Sequence, residues 1–338
     1  MKTSGVSAFF AAAVVLCAGC AEMKGPTAAS LSPESLDVCN RLNLKPEQIA
    51  KLDAKPLYAF TEAELNVYLG YVQAMEPDLG KRVVRIGRKN LGQPYEIYLL
   101  GEFPYEMYDP QPLYCLSKSD CVVFSEHTYA MALSHDWPSF FATLQRIRYN
   151  GGQISVLTRN HYTEADWDRN NSWLVRDVTD EVAEGRTKPF HVTIDRAKFF
   201  KNRYKIDTSM PKEEFTSMYI PYEEMASAVK NLRNGDFVNV VYGEKELSVT
   251  HTGLIAIAGD GTVDFLHSTP PRVKEQPILQ YVEQRVAANE RKKASGKGGS
   301  MFVGFKFLRL EADPLANLEK IDGPGAPRVT LYIPPSNK

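Results

Sequence analysis

Val249-Thr250-His251-Thr252-Gly253-Leu254-Ile255-Ala256-Ile257-Ala258, then Gly259-Asp260-Gly261, then Thr262-Val263-Asp264-Phe265-Leu266-His267-Ser268, is the run of chain that sets the fold. Two stretches rich in β-branched and aliphatic residues flank three turn-forming residues, the pattern of an antiparallel hairpin. Outward from it, Asp236 to Tyr242 precedes the turn residues Gly243-Glu244-Lys245, and Met301 to Leu310 follows the hairpin; both also read as strands. His251 lies mid-strand and His267 near the end of the next. Both are eight residues from Gly259, so a turn centred there predicts them directly opposite each other. Alternation puts Val249 and Ile255 on the face of His251, and Phe265 on that of His267. A polar ring among apolar neighbours needs a partner. A pair of satisfied structural histidines is the plain alternative.

Far upstream, Lys118-Ser119-Asp120 leads into Cys121-Val122-Val123-Phe124-Ser125-Glu126, with Tyr129, Ala130, Met131 and Leu133 beyond. The capping residues and the apolar spacing predict a helix starting at or just before Cys121. A second helix is expected over Trp137 to Tyr149, ended by Gly151-Gly152, and a third over Pro277 to Lys293. From Ser32 to about Gly80 the pattern is helical, with starts at Ser32-Pro33-Glu34-Ser35 and Thr61-Glu62-Ala63-Glu64. Gln153 to about Arg233 mixes short apolar pieces with loops, and its order cannot be parsed from pattern. There is no βαβ alternation and no internal repeat. The fold class is therefore α+β, a cysteine-bearing helix packed on an antiparallel sheet with an N-terminal helical extension.

The 338 residues are 43% hydrophobic, ample for a packed core. A net charge of −1, from 40 basic and 41 acidic side chains, disfavours a nucleic-acid partner. Lys2, the apolar run Ala8 to Leu16 and the small residues before Cys20 read as an export signal over residues 1–19. The run is too short to span a bilayer. Ala18-Gly19-Cys20 resembles a bacterial lipobox, with Cys17 where Leu is usual, and this implies lipidation of Cys20; ordinary secretion with cleavage near Ala21 is the alternative. Ala21, where Asp would retain a lipoprotein at the inner membrane, points to the outer membrane, facing the periplasm. The chain divides into 1–19 signal, 20–80 tether and helical prelude, 81–311 main domain and 312–338 tail, the last two bounds being those that the family resemblance given below implies. Cys39, Cys115 and Cys121 remain for the folded part, an odd number that allows one bridge at most.

A thiol attacks an amide as thiolate, and a helix N-terminus favours that form. Such chemistry needs an imidazole within reach and a third group to fix its tautomer. Metal-ligand patterns such as His-Glu-x-x-His are absent, and Gly296 to Ser300 lacks the spacing of a phosphate loop.

Asp120-Cys121, His251-Thr252-Gly253 and Leu266-His267-Ser268 resemble the NlpC/P60 superfamily of papain-like cell-wall peptidases. More narrowly, Gly92-Gln93-Pro94-Tyr95, Asp120-Cys121-Val122-Val123-Phe124, Arg159-Asn160-His161-Tyr162 and Val249-Thr250-His251 are similar to the DUF1460 family, described as N-acetylmuramoyl-L-alanine amidase-like. The resemblance covers about residues 80 to 310. It implies a papain-like domain in which Cys121 is the nucleophile, His251 the base and His267 the group that orients it. Tyr95 and Asp120 would shape the site, and Arg159, Asn160, His161 and Tyr162 would form a substrate wall. No cofactor and no metal are implied; the expected partners are peptidoglycan fragments and, through the lipid anchor, the membrane of the cell envelope. A stem-peptide endopeptidase and a non-catalytic binder of cell-wall fragments stay open as alternatives.

Overall fold

The computed structural model describes residues 27–244, 247–296, 298–325 and 327–331. The export signal and Cys20 lie outside them. The N-terminal region is helical: α1 (Pro33–Arg41), α2 (Pro46–Ala54) and α3 (Glu62–Met75) lead to α4 (Leu79–Lys89). Local chemistry fixes the starts, since Ser32 Oγ accepts the Ser35 N–H and Thr61 and Glu64 form a reciprocal capping box. Next come α5 (Cys121–Ala132) and α6 (Trp137–Arg148), the latter capped by Asp136 with a proline in its first turn.

Beyond α6 the chain forms β1 (Gln153–Ile154), α7 (Asp168–Asn170), β2 (Val175–Asp177), α8 (Thr179–Ala183), β3 (Lys188–Ile194), α9 (Arg196–Tyr204), β4 (Glu213–Pro221) and α10 (Met225–Ala228). The last third supplies β5 (Phe237–Gly243), β6 (Leu247–Ile257), β7 (Val263–Thr269), β8 (Arg272–Pro277), α11 (Ile278–Ala294), β9 (Met301–Leu310), α12 (Pro314–Asp322) and β10 (Thr330–Leu331). The expected strands and the helices around Cys121, Trp137 and Pro277 are all present. Among the described residues no helix is long and apolar enough to cross a membrane.

The main sheet runs β3-β4-β9-β5-β6-β7-β8, with β2 paired to β9, and every pairing in it is antiparallel. It is therefore the α+β arrangement of helices and antiparallel sheet. One face, through Leu254, Ala256, Leu266 and Val273, packs in a single core with α4, α5, α6 and helices α1 to α3. The opposite face, through Val240, Ile255, Phe265 and Phe305, packs on α11 through Ile278, Tyr281 and Val282. A half-buried cation ties the extension down. Lys89 Nζ donates to the carbonyls of Leu52, Asp53 and Lys55 at 2.7, 3.0 and 2.8 Å, and lies over the rings of Phe60 and Tyr68. The C-terminal segment also folds back. Leu318 of α12 joins the first core, Arg146 bridges Asp322 at 3.0 Å, and β10 pairs in parallel with β1.

One expectation is corrected. Leu254 pairs with Leu266 and Ile255 with Phe265, so β6 and β7 fold about Asp260 and not about Gly259. His251 is thus two residues out of register with His267. They are diagonal neighbours, still within reach of ring side chains.

Candidate active site

Cys121 is the first residue of α5, and Asp120 is its cap. Asp120 Oδ1 accepts the N–H groups of Val122 and Val123 at 3.0 and 2.8 Å. These bonds occupy two of the free donors of the first turn, and the Cys121 N–H is left without a partner among the described residues. The helix N-terminus does not win the thiol, contrary to expectation. Burial first, and then the Asp120 carboxylate, push Cys121 up to about 11, against the opposing pull of Thr252 and of the Val122 N–H. At neutral pH the resting site therefore holds a thiol.

Thr252 places strand β6 against that thiol, and its neighbour on the strand is His251. His251 Nε2 lies 2.7 Å from His267 Nδ1 on β7, the rings crossing at 72°. Gly253 makes this possible. A Cβ built there would sit 2.8 Å from His267 Cβ and 2.6 Å from the ring of Phe265, so only glycine lets the strands close around the imidazoles. Phe265 stacks on His267 at 4.2 Å and Tyr281 meets it edge-on. Burial, then Arg285 and Lys274, pull His251 down to about 4; burial, His251 and the same two cations pull His267 lower still. Both rings are neutral at pH 7. Among the described residues no hydrogen bond joins Cys121 to His251, and His251 Nδ1 is unpaired.

A buried polar chain holds strand and helix in alignment, and sequence reading missed it. Gln93 Oε1 accepts the Ser119 hydroxyl at 2.7 Å, Ser119 Oγ lies 3.0 Å from Ser268 Oγ, and Ser268 donates to the Ser119 carbonyl at 2.9 Å. Ser119 is two residues before Cys121 and Ser268 directly follows His267, so the network locks nucleophile and histidine strand together. The signal lay in motifs already quoted, Gln93 in the first and Ser268 in the last. Tyr95 sits beside them, its N–H bonded to the Pro271 carbonyl; burial, and then Cys121 and Asp120, hold its phenol above the ordinary value.

Arg159, Asn160 and His161 border a cavity of about 490 Å³ at the start of α5, lined also by Asp120, Val122, Tyr98 and Tyr204, whereas Tyr162 lines a separate cavity. Its polar groups are largely engaged with protein. Arg159 binds Glu102 at 3.0 Å and Asp109 at 2.7 Å; Asn160 donates to the Ile147 carbonyl and accepts from Asn170. His161 Nε2 donates to the Val156 carbonyl at 2.7 Å inside a nest of Phe199, Phe200 and Tyr204, and burial pulls it down to about 3. Tyr162 packs on Phe199. Arg159, Asn160 and His161 thus form one side of the cavity, their polar atoms turned into the protein. Below the floor, Glu126 bridges Arg148 at 3.4 Å and accepts from Trp167 Nε1 at 3.1 Å, with burial raising its carboxyl to about 7.

Cys39, Cys115 and Cys121 are all free thiols, Cys39 buried within the helical region. Among the described residues no group of three His, Cys, Asp or Glu side chains is arranged as a metal site.

The family model described as "AmiA-like: N-acetylmuramoyl-L-alanine amidase-like" matches residues 85–288. No functionally curated protein matches the chain. Among solved structures, a Legionella pneumophila protein assigned to DUF1460 is 17% identical and superposes with a TM-score of 0.62 over 80% of this chain and 98% of that one. An N-acetylmuramoyl-L-alanine amidase from Bacteroides uniformis is 22% identical, with a TM-score of 0.53 over 69% and 99% of the two chains. At these identities the likeness is one of fold.

Proposed function

Because the chain belongs to the AmiA-like, N-acetylmuramoyl-L-alanine amidase-like family, we propose that it is a cysteine hydrolase of papain-like NlpC/P60 type that cuts the amide between N-acetylmuramic acid and L-alanine in peptidoglycan fragments. The observation that carries this reading is the 2.7 Å contact of His251 Nε2 with His267 Nδ1, on strands set against the helix that Cys121 begins. A thiol, a ring nitrogen left free and a second ring fixing the first are the three parts that nucleophilic acyl transfer needs.

His251 Nδ1 takes the Cys121 proton as Sγ bonds to the carbonyl carbon. This assigns the tautomer: Nε2–H of His251 donates to His267 Nδ1, and His267 keeps its own proton on Nε2. Because thiol and imidazole rest neutral, proton transfer accompanies attack and does not precede it. The oxyanion forms beside the Cys121 N–H, the donor that Asp120 leaves unused. His251 then returns the proton to the departing amine, and a thioester remains. Water, deprotonated by His251, attacks the thioester; the C–S bond breaks, the thiol recovers its proton and the acid leaves.

Digestion of a defined muropeptide, read by mass spectrometry, tests the assignment. The expected products are N-acetylmuramic acid and the intact stem peptide, with none from a Cys121→Ala protein. A cut inside the stem peptide would make the enzyme an endopeptidase, and persistent cleavage by Cys121→Ala would move the chemistry elsewhere. The location is part of the same proposal: cleavage before Cys20, lipidation of that residue and residence in the cell envelope at the outer membrane, facing the periplasm. Incorporation of an alkyne fatty acid that is lost in Cys20→Ala is the expected result; label that survives the substitution excludes the anchor.

A further inference from the structure

We propose that Lys274 and Arg285, beside the histidine pair, form a subsite for a carboxylate of the stem peptide, so that the peptide leaves across β8 and α11 while the sugar lies in the cavity at the start of α5. This rests on the hydrolase reading above. Lys274 is the register partner of His267 across β7 and β8, and directly opposed residues share a face of the sheet. Arg285 lies one turn beyond Tyr281 on α11, its guanidinium 5.2 Å from that ring, and the same ring meets His267 edge-on. The charges of both bear on His251 and on His267, and that of Arg285 bears on Lys274 as well.

The pair differs from the buried cations of this fold in having no counter-ion. Arg148, Arg159, Lys306 and Arg309 each have a carboxylate within 4 Å. Among the described residues the side chains of Lys274 and Arg285 have neither a salt bridge nor a hydrogen bond. Arg285 Nε is covered and unpaired, as is the Nε2 of Gln276, the register partner of Phe265 on the same face. Two cations and a spare amide donor therefore lie beside the histidine strand with no acceptor of their own, and for the covered Arg285 Nε and Gln276 Nε2 that is an arrangement native structures seldom leave unexplained. A carboxylate completes it.

The substrate's chemistry decides which end supplies one. In a muramyl peptide the lactyl carboxyl is tied up in the scissile amide and the sugar is otherwise neutral, whereas the peptide carries free carboxylates. The other side of the site suits the sugar, with the faces of Tyr98, Tyr204 and His161 around the cavity. A bound carboxylate also changes the base. The two cations disfavour a proton on His251, and an anion between them offsets that effect at the moment the ring must accept the thiol proton.

The test uses N-acetylmuramoyl-L-alanyl-D-glutamate and its diamide. Their binding to Cys121→Ala is measured by calorimetry, alone and combined with Lys274→Met, Arg285→Met or Arg285→Lys. We expect Cys121→Ala to bind the acid about tenfold more tightly than the diamide, as one charge-assisted contact implies. Either methionine substitution should bring the preference to within about twofold, with Arg285→Lys keeping most of it. Equal binding of acid and diamide overturns the proposal, as does a preference that survives both methionine substitutions. Cleavage by the wild type is scored separately. If the acid is preferred through these residues but neither compound is cut, the subsite stands and the hydrolase reading falls.

Discussion

Replacing His267 separates the two proposed histidine roles, because in that mechanism the ring only holds His251 and does not meet the substrate. In the tautomer proposed above, its Nδ1 accepts from His251 Nε2 at 2.7 Å, and the ring is 1% exposed, so His267→Ala strands a buried donor. An unsatisfied buried donor costs about 1–3 kcal/mol, which corresponds to a loss of roughly 5- to 160-fold in kcat/KM if it is felt in full as the ring becomes charged. His267→Asn or His267→Gln should lose less, since an amide oxygen still accepts the N–H. His251→Ala removes the base itself and should be as inactive as Cys121→Ala; the double variant should then be little worse than His251→Ala alone. The alanine variant also forfeits the stacking on Phe265 and leaves a void, so each protein is assayed on a defined muramyl peptide well below its melting point, and the melts are reported beside the rates. Near-normal activity in His251→Ala with a dead His267→Ala would show the roles to be reversed. Full activity in both would put the site elsewhere.

Gly253→Ala should lower both activity and melting temperature. Its methyl must push β6 from β7 against Leu266 O, His267 and Phe265, an overpacking that costs about 1–3 kcal/mol, and a variant with wild-type rates and melt would refute the close-approach argument. The acid limb of kcat/KM for the free enzyme should fall nearer pH 4 than 6.5. His251 must be neutral to take a proton, and its lowered value near 4 keeps it neutral until the pH falls that far; Lys274→Met, which removes one depressing cation, should move the limb upward. Iodoacetamide should alkylate Cys121 more slowly than a free cysteine at pH 7 and accelerate as the pH climbs toward 11, whereas fast labelling at pH 7 would reveal a resting thiolate.

Much of the site was legible because its signals are local. Asp120 followed by an apolar run announces a capped helix, and the two strands around Gly259-Asp260-Gly261 announce a hairpin that carries both histidines. The register was misjudged by two residues, since a Gly-Asp-Gly run allows more than one turn geometry; Gly261, with φ +86°, is the glycine that adopts the left-handed conformation. Residues 153 to 233 resisted parsing for a different reason. Their strands β3 and β4 pair with each other and join the ladder of the sheet through Ile220 and Pro221, so many of their side chains are solvated and the apolar signal is diluted. Lys274 and Arg285 were beyond sequence reading altogether. Nothing in a surface strand or a basic helix says which cations have lost their counter-ions.

The protonated state of Cys121 bears on how long the protein would last outside the cytoplasm. Peroxide oxidises thiolates to sulfenic acid and then, irreversibly, to sulfinic and sulfonic acids, and a thiol that titrates near 11 offers almost no thiolate at neutral pH. A cysteine enzyme that rested as an ion pair would be consumed steadily in such surroundings, with no cytosolic reductant at hand. In the proposed mechanism the sulfur becomes nucleophilic only as His251 takes its proton, so the low thiolate content that slows its activation would also protect it from oxidative ageing between turnovers.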